Sequence, residues 1–155
     1  MKVAIVHDWI TNPGGAETVI QCMLELFPDA PVYTSVYNRE KMSGYFPNAD
    51  IRTSFLDKLP FSATKYSLYL GLMPRAFEQF DLGEYDVVLS SSTCCAKGVL
   101  TDANTLHVCY CNTPMRYAWD FYFDYLNHHP NPLRNHIIRS QMHKIRMWDA
   151  VSSDR

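Results

Sequence analysis

The sequence predicts an α/β protein built on a doubly wound, Rossmann-like parallel sheet. Three observations carry this: short apolar runs rich in Val and Ile, segments between them with apolar residues at helical spacing, and Gly, Pro or Asx residues at each change of period. With 155 residues, 47% of them hydrophobic and 14% aromatic, the chain can bury the core of one ordinary domain, and residues 1–155 are read as one.

The elements follow in order. KVAIVH, residues 2–7, is a strand that ends in polar residues; TNPGG makes the turn; Val19, Ile20, Met23, Leu24, Leu26 and Phe27 define a helix that Pro28 and Asp29 end. PVYTSVY from Pro31 is the second strand, so the chain opens with a βαβ unit and its parallel pairing. ADIRTSF, residues 49–55, is the third strand. The following leucine- and aromatic-rich stretch reads as two short helices with a break at 71–74, where Gly71 and Pro74 interrupt it. YDVVLSSS, residues 85–92, and TLHVCYC, residues 105–111, are strands four and five. From Leu133 to about Val151, the spacing of Ile137, Ile138, Met142, Ile145 and Trp148 predicts a helix with one apolar face.

Composition narrows the function. A formal charge of −2 provides no field that gathers nucleic acid. The N-terminal apolar run is too short for a signal peptide and no stretch is long enough to span a bilayer, which predicts a cytoplasmic chain. Five cysteines, an odd number with Cys94 and Cys95 adjacent, argue against a disulfide framework and for a reducing compartment. Cys94, Cys95, Cys109 and Cys111, in CC and CxC spacing, are expected as small core residues of buried strand rather than as metal ligands with His107. His128 and His129 fall in a loop-like HHPNP, and His136 and His143 are two helical turns apart, so no metal site is expected.

In a doubly wound sheet, ligands bind beyond the carboxyl ends of the strands. Three segments should converge there. HDWITNPGGAE, with Asp8, follows strand one: Gly14 and Gly15 let a ligand approach the N–H groups of a helix N-terminus, or simply make a tight turn with Glu17 in the first helical turn. The segment lacks the G-x-G-x-x-G and GK[ST] patterns of dinucleotide and P-loop sites. Ser90, Ser91, Ser92 and Thr93 follow strand four and offer hydroxyls to a sugar or phosphate, without the G-x-S-x-G elbow of a serine hydrolase; Lys97 beyond them is the kind of lysine commonly left solvated. NTPMRYAWD follows strand five, with Asn112 and Thr113 at its end, Pro114 stopping it, and Arg116 as a fork for a carboxylate or phosphate. The alternative there is an internal clamp, Arg116 pairing with Asp120 while Tyr117 and Trp119 pack.

HDW with NPGGAE, then LFPDAPVYTSVY, TSFLDKLP, LMPRAFEQFDLGEYDVVLSSS and CYCNTPMRYAWD, in that order, resemble the N-terminal domain of glycosyltransferase family 4, in particular bacterial mannosyltransferases of O-antigen and exopolysaccharide synthesis. The resemblance implies a GT-B enzyme with two Rossmann-like domains facing a cleft. It implies retention of anomeric configuration and no metal or other cofactor, the donor being a nucleotide sugar and the acceptor a glycan or lipid-linked sugar. By resemblance, Gly14, Gly15 and Glu17 contact or shape the donor phosphate and sugar side, while Asp8, Ser91, Ser92, Thr113, Arg116, Tyr117 and Asp120 line the acceptor side. Asn112 stands where many relatives carry His beside the transferred sugar; an amide hydrogen-bonds a hydroxyl but is no general base. The resemblance further implies that the last strand of this domain and the donor-binding domain lie outside 1–155, to be supplied in cis or in trans. Lipid-linked acceptors raise a peripheral contact with the inner face of a membrane through Lys58, Lys65 and Arg75 interleaved with Phe61, Tyr66, Tyr69, Leu70 and Leu72; these aromatics serve equally as core.

Overall fold

The structure, a computed structural model, describes residues 1–127 and 131–154; His128 and His129 lie outside the described residues. It is an α/β fold with one all-parallel sheet of five strands: β1 (Val3–His7), β2 (Val32–Thr34), β3 (Ile51–Thr53), β4 (Val87–Ser92) and β5 (Leu106–Cys111), in the order β3-β2-β1-β4-β5. The central strand, VAIVH, is buried along its whole length, as a strand covered on both faces must be. Its alternation separates two cores. Val3 and Ile5 join Ile20, Val32 and Met42 on the face of helix α1 (Gly15–Leu26), whereas Ala4 and Val6 join Phe77, Val88, Met142 and Ile145 on the other.

That second face is covered by α3 (Ser62–Lys65), a 3-10 segment (Tyr66–Leu72), α4 (Met73–Glu78) and α6 (Pro132–Ser153). No break separates two helices at 71–74. The 3-10 segment runs straight into α4, because Pro74 sits in the first turn of α4, where its missing N–H has no helical partner to lose. Two short helices were not evident from spacing: α2 (Arg39–Met42), capped by the Asn38 side chain, and α5 (Tyr122–Asn127). Four to six residues are too few for periodicity to register.

Two expectations about burial are corrected. Cys109 and Cys111 are exposed, because β5 is an edge strand; Cys94 and Cys95, beyond β4, are the buried pair. Ile137 is exposed on α6, whose inner face is Met142 and Ile145 with Ile138 and Trp148 beside them; adjacent residues 137 and 138 cannot both face inward on a helix. Among the described residues no helix is long and apolar enough to cross a membrane.

Candidate functional site

The strand order reverses direction between β1 and β4, so the crevice beyond their carboxyl ends is the switch point of the sheet. On one side of this point the chain closes the crevice with its own carboxylate. Asp8, 1% exposed, accepts hydrogen bonds at Oδ2 from the N–H groups of Thr93 (2.5 Å) and Cys94 (2.8 Å) and from the Thr93 hydroxyl (3.0 Å). Its Oδ1 accepts from the N–H groups of Cys95 and Ala96, both at 2.7 Å. Four successive backbone donors make an anion nest, and Asp8 fills it. The Ser35 hydroxyl donates to the Asp8 carbonyl and fixes the residue from behind.

On the α1 face a polar row crosses the sheet. His7 Nδ1 lies 2.9 Å from the Ser91 carbonyl, which can only accept, so Nδ1 carries the proton and Nε2 is bare. Nε2 faces Glu17 Oε1 at 4.0 Å, and the Asn112 amide donates to Ser91 Oγ at 2.9 Å. Parallel register explains the row: His7 pairs with Ser91 and Ser91 with Tyr110, so these side chains share a face that Asn112 continues. Burial pushes the His7 imidazole below its ordinary pKa, against the opposing pull of the Asp8 and Glu17 carboxylates and the Ser91 carbonyl. The result is a neutral base, enclosed at neutral pH.

Glycines 14 and 15 stand at the head of this row. Neither adopts a positive φ; Gly14 is extended at φ −167°, so no left-handed turn demands them. What they provide is space: a Cβ on Gly14 would meet Glu17 Oε2 at 2.9 Å, while one on Gly15 would meet nothing within 4 Å. The head of α1 thus carries no side chain of its own at 14 or 15, while the Glu17 carboxylate, in the third helical position, folds back against Gly14.

Of the residues expected here, Gly14, Gly15, Thr113, Arg116 and Asp120 are exposed, Asn112 and Tyr117 are half-buried, and Asp8, Glu17, Ser91 and Ser92 are buried. Ser92 Oγ accepts from the Lys97 N–H at 3.3 Å. Tyr117 Oη lies 2.9 Å from Cys94 Sγ, and its burial raises its pKa strongly, so it stays a neutral phenol. The Arg116 guanidinium sits over the Phe121 ring, 4.8 Å from its centroid. Trp119 Nε1 donates to Asp149 Oδ2 at 2.8 Å, and Lys97, rather than standing in solvent, approaches Asp149 Oδ1 at 2.6 Å, tying α6 to this corner.

Sequence reasoning missed His7 as a member of the site, although its place at the last position of β1 beside Asp8 was the available signal. It also missed the nest, which Thr93–Ala96 form only once Asp8 is beside them. Among the described residues no three His, Cys, Asp or Glu side chains converge to hold a metal ion. No protein-family model, curated protein or solved structure matches the chain.

Proposed function

We propose that this domain is the acceptor-side, Rossmann-like half of a retaining glycosyltransferase, moving a sugar such as mannose from a nucleotide sugar to a glycan or lipid-linked acceptor. The observation that carries the reading is the polar row Glu17–His7–Ser91–Asn112, whose Glu17 end reaches the two exposed glycines at the head of α1. Its buried members hold one another in place, and its accessible end presents the half-buried Asn112 amide and the exposed N-terminus of α1 to sugar hydroxyls. The nest that would otherwise attract a phosphate is taken by Asp8, which agrees with a half-site for a neutral acceptor and leaves the nucleotide to a second domain, in cis or in trans.

The same reading accommodates a membrane-facing edge. Phe61 is 71% exposed and held at φ +58°, a strained conformation for a bulky residue, with the Lys65 ammonium 5.7 Å from its ring centroid. Tyr66, Tyr69 and Leu70 instead pack against the core.

The test is transfer from a panel of nucleotide sugars by this domain joined to, or mixed with, a nucleotide-sugar-binding domain. Arg116→Ala should lower transfer about tenfold or more, the scale of a lost charge-assisted contact, with the unfolding midpoint unchanged. Unaltered transfer in R116A, or turnover at ordinary enzyme rates by this domain alone, overturns the reading. Asn112 favours a second reading, a non-catalytic binding module, because an amide takes no proton; saccharide binding without turnover in any combination of domains would establish it.

A further inference from the structure

One side of the molecule is positive, although the chain carries a formal charge of −2. Residues 58–77 and 131–148, from the layer over the second face of the sheet, hold seven of the 14 Lys and Arg and none of the 16 Asp and Glu. Arg146 is engaged, donating to the Ala118 carbonyl and lying over the Tyr122 ring. Lys58, Lys65, Arg75, Arg134, Arg139 and Lys144 are exposed. On the same two stretches the large apolar side chains Phe61, Leu68, Leu72, Leu133 and Ile137 are exposed as well. Cations interleaved with an apolar patch complement an amphiphile that is anionic at one end.

The patch opens into the protein. A groove of about 450 Å³ runs between Leu68, Leu70 and Leu72 of the 3-10 segment and the face of α6 made by Arg134, Ile137, Ile138 and Gln141, which stand three and four residues apart. A second cavity of about 210 Å³, lined by Trp9, Tyr66 and Tyr117, adjoins it: Ser67, Leu70, Tyr125 and Met142 line both. Residues three apart stand in line on a 3-10 helix, which sets Ser67 and Leu70 together at this junction. Beside it the Gln141 amide rests against Gly71, where a Cβ would not fit, so the two walls meet there. Among the described residues Arg134 is the only charged side chain lining either cavity.

We propose that this groove takes the hydrocarbon chain of a phosphate-headed lipid, with the phosphate at Arg134 and the chain running inward past Ser67 to Trp9. A guanidinium at the mouth offers a fork to phosphate oxygens, and the combined cavity has the size of a small-ligand site. An acidic peptide would also meet the cations, but it would carry backbone N–H and C=O groups into an apolar arm; a hydrocarbon chain carries none. The site stands on its own walls and not on sugar transfer, so either can fail alone.

Dodecyl phosphate, titrated below its micelle concentration into the isotope-labelled chain, should bind saturably. It should shift the indole N–H resonance of Trp9, which lines the inner cavity, and leave that of Trp148, bonded to Glu78, in place. Octyl phosphate should bind about a hundredfold more weakly, at about fourfold for each methylene left out of the groove. Inorganic phosphate should move neither indole. Arg134→Glu should weaken binding about tenfold or more, and Ser67→Phe, which fills the junction from the exposed side of the 3-10 segment, should abolish the Trp9 shift. Absence of saturable binding, equal affinity for the two chain lengths, a shift at Trp148 with none at Trp9, or unaltered binding in R134E overturns the proposal. The chain-length comparison decides it even if S67F does not fold.

Discussion

Asp8 concentrates more of the architecture than any other side chain at the switch point. Its carboxylate joins the end of β1 to the turn after β4 through four backbone N–H groups and one hydroxyl. Removing it leaves those donors buried without an acceptor, so Asp8→Ala should cost about 3–5 kcal/mol, and Asp8→Asn, which keeps one acceptor oxygen, about half as much. Urea unfolding curves measure both; an Asp8→Ala midpoint within error of the parent would show that the nest is satisfied in some other way. The sequence placed Asp8 at the carboxyl end of a strand and suggested a crevice. It could not indicate that the carboxylate turns inward, because its partners are backbone groups, which carry no signature in residue type.

Among the elements, α6 shows how much periodicity conveys and where it stops. Its extent was legible from apolar spacing, and its start is fixed by Asn131, whose side chain accepts from the N–H groups of Leu133 and Arg134 with Pro132 in the first turn. How closely it approaches the sheet was not legible. A Cβ on Gly98 would lie 2.2 Å from Cζ2 and 2.4 Å from Cη2 of Trp148, so the indole rests directly on glycine backbone while its Nε1 donates to Glu78 Oε1 at 2.7 Å. Gly98→Ala should destabilise the fold by about 2 kcal/mol or more through overpacking, and Trp148→Leu in the same chain should recover part of that loss. A double-mutant cycle from thermal unfolding measures the coupling; strict additivity would mean the two residues do not touch. The edge strand β5 gives the opposite lesson: its apolar run suggested burial, yet position at the end of the strand order decides exposure.

For the whole molecule, the pH dependence of stability gathers several elements at one point. His7 belongs to β1, bonds to β4 and faces α1, and burial lowers its pKa below 6.5 in the folded state. The unfolded chain then binds the proton more readily, so stability is fully present above about pH 6.5 and declines as the pH falls through the folded value, by at most about 1.4 kcal/mol per pH unit. His7→Gln, which can still donate to the Ser91 carbonyl, should flatten the decline between pH 6.5 and 5. Denaturant titrations across that range check it: equal slopes in parent and variant would mean the imidazole already ionises in the native fold.

Sequence alone determined that the chain forms alternating strands and helices, that the strands are parallel, and that HDW, NPGGAE, SSST and NTPMR lie at their carboxyl ends. These depend on local periodicity and on where Gly, Pro and Asx interrupt it, which residue order encodes directly. Tertiary structure decided the rest: that Ser91 and Ser92 are buried while Arg116 is open, that Lys97 is paired with Asp149, that Asp8 fills a nest and that β5 stands outermost among the five described strands. Direction, partner and exposure belong to pairs of residues far apart in the chain. Only the order of the strands brings such pairs together.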